Sequence, residues 1–180
     1  SAIASREFEE LELAAGLSER LGMPEIALEG LLHLAESVEA RRSEFLLHAK
    51  SVAESSKNTR ALLEVARGLL EMHPANAQMA DELAYLRLLL GEEMEVVLSD
   101  AAKSPALFRA LAAYRLGDRS TLQSVMGSLQ KPDGLPPGRR AVLSGLLATT
   151  GKPAEAFQIA EKVPEALLLD EEMAFLKLAR

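Results

Sequence analysis

The stretch Ala141–Pro164, AVLSGLLATTGKPAEAFQIAEKVP, decides the fold. Its first half places Val142, Leu143, Leu146 and Leu147 at helical spacing. Its second half does the same with Ala156, Phe157, Ala160 and Val163. Between them runs Thr150-Gly151-Lys152-Pro153. Gly151 can adopt the positive φ that ends a helix, Pro153 suits the first turn of the next helix, and Pro164 stops that helix. Two helices this short leave one side of their pair bare of cover. The pair therefore predicts copies of itself elsewhere in the chain, stacked against it.

Copies are found by their turns. Gly22, Ser56, Gly91, Gly117 and Gly151 are separated by 34, 35, 26 and 34 residues. Seven residues before each turn stand Ala15, Ala49, Ala84, Ala110 and Ser144, all small, as a close helix–helix approach requires. Five residues after each turn stand Ala27, Ala61, Val96, Leu122 and Ala156, all apolar. The short interval predicts trimmed helices in the fourth unit.

The spaces between the turns read as helices. Phe8, Leu11, Ala15 and Leu21 mark one face of the first, with Glu7, Glu9, Glu10 and Glu12 expected in its first turns, where they favour the helix dipole. Ala27, Leu31, Leu34 and Val38 follow after Gly22 and Pro24, then Phe45, Ala49 and Val52. Asn58 reads as an N-cap to Leu62, Leu63, Ala66, Leu69 and Leu70, and His73-Pro74 closes that helix. Met79, Leu83, Leu86 and Leu90 lead to Gly91, and Met94, Val97, Leu98, Ala101 and Ala102 form the partner. Ser104-Pro105 reads as N-cap and first helical position, ahead of Leu107, Phe108, Leu111 and Ala112. Ser120–Gln123 has the pattern of a capping box, with Leu122, Val125, Met126 and Leu129 behind it. A Pro- and Gly-rich loop, residues 131–138, precedes the opening stretch, and a last helix over 165–179 carries Leu169, Met173 and Leu176.

The opening stretch resembles the tetratricopeptide repeat family, whose period is about 34 residues. The resemblance rests on the small Ser144 or Gly145, the turn Gly151, Ala156 early in the second helix and Pro164 near the end. The family's large aromatic near the start of the first helix is absent, so the repeats are degenerate. The resemblance implies an all-α fold, with antiparallel helix pairs stacked as an α–α superhelix. The expected organisation is one helical-repeat domain over residues 1–180, with units 5–38, 40–74, 76–104, 105–130 and 139–164 and a final helix 165–179.

Composition agrees with helix and limits function. The chain is 48% hydrophobic but only 4% aromatic, so Leu and Ala rather than β-formers fill the core. No run of alternating Val, Ile or Thr predicts a strand. The net charge of −7 repels phosphate backbones and argues against nucleic acid as a partner. There is no cysteine, which excludes disulfides and thiolate chemistry. No apolar run approaches the roughly 18 residues of a membrane span, and no signal-peptide pattern is present.

Chemistry is equally sparse. His33, His48 and His73 stand in no metal-ligand spacing, although His33 and His48 lie on consecutive helices and a nearby Glu would complete a zinc set. No nucleophile elbow or phosphate-binding glycine loop occurs. The acid pairs Glu92-Glu93 and Glu171-Glu172 sit at helix starts, where the dipole explains them. Arg41-Arg42 and Arg139-Arg140 have no flanking aromatics for base stacking and are expected at exposed helix starts. No cofactor, metal site or catalytic set is expected. The leading expectation is a non-catalytic scaffold that binds another protein or peptide. The rivals are an all-helical enzyme or metal protein and, behind it, a helical-repeat RNA binder.

The resemblance also implies where binding occurs: a concave face lined by the first helix of each pair. Counted back from the turns, it takes Glu9, Glu12, Gly16, Glu19 and Arg20, then Ser43, Leu46, Lys50, Ala53 and Glu54. It continues with Gln78, Asp81, Tyr85, Leu88 and Leu89, then Ser104, Leu107, Leu111, Tyr114 and Arg115. Glu12, Arg20, Lys50, Gln78, Asp81, Tyr85, Tyr114 and Arg115 are the candidate contact residues. The fifth set, Gly138, Ala141, Gly145, Ala148 and Thr149, is small and bland, expected to lie against another chain or to bind nothing. The Lys and Asn clamp by which some family members hold a terminal carboxylate is missing.

Overall fold

The computed structural model describes residues 2–100, 103–129 and 134–180. Among these the protein is helical, with no strand. The helices are α1 (Ala2–Arg20), α2 (Pro24–Ser37), α3 (Arg42–Ser55), α4 (Thr59–Met72), α5 (Ala77–Leu89) and α6 (Met94–Ser99). They continue with α7 (Ala106–Leu116), α8 (Arg119–Ser128), α9 (Pro137–Thr149), α10 (Pro153–Ala160) and α11 (Asp170–Leu178). Single 3-10 turns at Glu39–Arg41 and Glu165–Leu167 precede α3 and α11.

The chain forms two compact units, Ser1–Leu86 and Arg87–Arg180, and the division falls within α5. In the first, α1 packs on α2, α2 on α3 and α3 on α4. In the second, α7 packs on α6, α8 and α9, while α9 also carries α10 and α11. Leu31, Leu34, Val52 and Val65 fill the first core, and Leu111, Val142, Leu146 and Leu176 fill the second.

One turn geometry recurs through both units. Gly22, Lys57, Gly91, Gly117 and Gly151 all have φ between 57° and 84°, in the left-handed region. After each, the next residue's N–H bonds to the carbonyl five residues back: Met23 to Ser18, Asn58 to Ala53, Glu92 to Arg87, Asp118 to Ala113 and Lys152 to Leu147, at 2.8–3.0 Å. The left-handed residue's own N–H reaches the carbonyl three back, so each turn satisfies two carbonyls at a helix end. In the second of these turns the left-handed residue is Lys57, not Ser56, whose φ of −88° is right-handed. Four of the five small residues, Ala15, Ala49, Ala110 and Ser144, are buried. Ala84 is half-buried.

Several local expectations are corrected. Pro105, with ψ 144°, is the N-cap of α7 rather than its first residue. Asp118, not Ser120, caps α8: its carboxylate accepts the Thr121 N–H at 3.0 Å. Bonds from the Thr121 hydroxyl and then its backbone hold the Asp118 carboxyl below its usual value. The α10 helix ends at Ala160, four residues before Pro164, and on it Phe157 points outward at 46% exposure while Ile159 is buried instead. The last α-helix starts at Asp170, which turns Phe175 and Leu176 inward. The first begins at Ala2, so its glutamates lie past the first turn, and Leu21 is exposed. The shortening falls mainly on α6, six residues with none buried, and Val96 is exposed there. Ala101, Ala102 and residues 131–133 of the loop lie outside the described residues.

Candidate interaction surface

In the first unit the projected contact residues are mostly held by the chain itself. Glu12 Oε1 and Oε2 accept from both terminal nitrogens of Arg41 at 2.7–2.8 Å, and Arg41 also grips Glu44 and lies 4.6 Å over the Phe45 ring. Arg41 lowers the Glu12 and Glu44 carboxyls below their usual value, by hydrogen bonding before charge. Lys50 is 3.0 Å from Glu82 on α5 and 3.9 Å from Glu54. His48 pairs with Glu19 at 2.8 Å, while His33 stands on the wall of a depression between α1 and α2. The two histidines thus serve different contacts. Among the described residues no three of His, Cys, Asp and Glu stand together as a metal set.

Of the other first-unit candidates, Arg20 and Gln78 are exposed and Asp81 is half-buried. Tyr85 is only 6% exposed: its place on α5 faces the core, and a partner cannot reach it. Leu46, Ala53, Leu88, Leu89, Leu107 and Leu111 are buried too. Helix periodicity gives one apolar face, and the projection cut across it.

The second unit brings two candidates together. Tyr114 and Arg115, at the end of α7, line a pocket of about 500 Å³ with Asp170, Glu171, Ala174, Phe175 and Leu178 of α11. The Tyr114 and Phe175 rings meet edge-on at 5.3 Å, and the Arg115 guanidinium lies 5.8 Å from the Phe175 ring. An Arg115 N–H donates to the Leu89 carbonyl at 2.6 Å. The pocket has an aromatic floor, one cation and two carboxylates at its rim. The α11 residues escaped sequence reasoning because they follow no turn and occupy no repeat column. Phe175 beside Leu176 was the available signal.

Two of the fifth projected set, Gly138 and Gly145, lie against this chain's own α11, while Thr149 is exposed. A Cβ on Gly145 would stand 2.5 Å from the Phe175 carbonyl oxygen, and one on Gly138 would collide with the Glu172 carboxylate. Glu172 is buried and accepts the Leu169 N–H at 2.9 Å. The arginine pairs are half-buried rather than exposed, and Arg139 covers the Phe108 ring at 5.1 Å.

No helix among the described residues is long and apolar enough to cross a membrane. No protein-family model, curated protein or solved structure matches the chain.

Proposed function

We propose that the chain is a non-catalytic interaction scaffold of tetratricopeptide-like helix pairs, which holds a peptide or partner helix against the surface at Tyr114 and Arg115. The observation that carries this reading is the recurrence of one helix-ending turn at Gly22, Lys57, Gly91, Gly117 and Gly151. Stacked helix pairs present side surfaces that others can bind. The α7–α11 pocket is such a surface. Tyr and Arg are the residue types that dominate binding energy at interfaces.

The test is a peptide library displayed against the immobilised protein, followed by affinities of the selected sequences for variants. Arg115→Glu and Ala174→Arg change the rim and wall without opening a cavity. Each is expected to weaken selected peptides about tenfold or more. Selected peptides that bind both variants as tightly as the parent remove the pocket from the proposal.

A further inference from the structure

The outer face of α1 is apolar, exposed and notched. Leu13 and Leu17, one helical turn apart, are 65% and 48% exposed. Between them on the same face is Gly16, and a Cβ built there meets nothing within 4 Å. Four other helical glycines have a packing reason: Gly30, Gly68, Gly138 and Gly145 each sit against a neighbour that a Cβ would press. Gly127, at the end of α8, is also open. Glycine inside a helix is costly relative to alanine. At Gly16, about one turn before the end of α1, that cost has no packing return among the described residues. What it leaves is a depression of about 370 Å³ lined by Glu9, Glu12, Leu13, Gly16, Leu17 and Arg20.

Charge along this face is asymmetric. Glu9 and Glu10 stand toward its start, with Arg6 bound to Glu10 at 3.3 Å, Glu12 on its wall is held by Arg41 at 2.7 Å, and Arg20 stands at its end. A foreign helix of either sign would find one end hostile. A parallel copy would set Glu9 against Glu9. An antiparallel copy sets Glu9 against Arg20 twice and Leu13 against Leu17 twice, with the two glycines at the crossing. Glycine at the crossing lets the helix backbones approach closely, and a two-fold axis makes every contact reciprocal.

We propose that α1 is a self-association surface, on which two copies of this chain pair antiparallel across Gly16 with Leu13 or Leu17 of each seated in the other's notch. The occupant is the same face of a second molecule.

Sedimentation equilibrium of the intact protein tests this. The parent is expected to dimerise, and Gly16→Leu and Leu17→Glu each to weaken dimerisation about tenfold or more, with unchanged circular dichroism. Gly16→Ala separates the interface from helix stability: it should raise the melting temperature of the monomer while weakening the dimer. Glu9→Arg and Arg20→Glu should each weaken the dimer, and the double variant should restore it. A parent that stays monomeric, a dimer untouched by the Gly16 and Leu17 variants, or a double variant no better than the singles overturns the proposal. A monomeric parent that binds a model Leu/Lys amphipathic peptide in a Gly16-dependent way also overturns it, and gives the face to a foreign helix.

Discussion

At the residue scale, the recurring turn separates what was legible from what was not. Gly22, Gly91, Gly117 and Gly151 announced themselves because glycine alone enters the left-handed region without a Cβ clash. Lys57 did not, because a lysine gives no sign of φ +57°. The missing glycine shifted that turn by one residue. The strain is testable in both directions. Left-handed backbone costs a Cβ-bearing residue about 1–2 kcal/mol, against which glycine loses roughly 0.5–1 kcal/mol of chain entropy. Lys57→Gly should therefore stabilise by about 0.5–1 kcal/mol and Gly151→Ala destabilise by a similar amount. Urea midpoints that move together, or in the opposite senses, contradict the shared geometry. The caps show the same limit: Asp118 outcompeted Ser120 because the carboxylate directly follows the glycine turn, and spacing alone favoured the serine.

At the element scale, long apolar stripes were readable and short elements were not. The stripe of α4 places Leu62, Leu63, Ala66 and Leu69 in the core as periodicity demands. Helix α6 has only six residues and none buried, so its apolar pattern carried no packing information. What joins α1 to the start of α3 is also absent from any pattern: Arg41, between Glu12 and Glu44. Both carboxyls are held below their ordinary value. A lowered native value means the unfolded chain takes up protons first as pH falls. The clamp therefore contributes fully above the ordinary carboxylate range, and its contribution is lost as pH drops through the depressed values. Its groups are largely exposed, so the effect is modest and screened by salt. Arg41→Ala should flatten the acid limb of the stability–pH curve and leave it less salt-sensitive. An unchanged acid limb in urea titrations of this variant would show that the clamp contributes nothing.

At the scale of the whole molecule, the all-helical character was legible because composition, stripes and turns agree, which is the condition for a sequence to specify a fold. The candidate site was legible only in part. Tyr114 and Arg115 were reached by counting from Gly117, but α11, which completes their pocket and covers Gly138 and Gly145, follows no turn to count from. The main packed pairs of helices are one or two helices apart in sequence, such as α2 on α3 or α9 on α11. If the helix pairs stack as proposed, stability is a sum of local terms, and damage should stay near its source. Leu146 is 0% exposed in the centre of α9. Leu146→Ala removes that packing and should cost about 2–5 kcal/mol in the unit that holds it. Amide hydrogen exchange locates the loss: faster exchange in α7, α9, α10 and α11, with α2, α3 and α4 keeping the parent's protection. A uniform rise across all helices would mean one cooperative core, and the row of helix pairs would then be the wrong description of how this chain is held together.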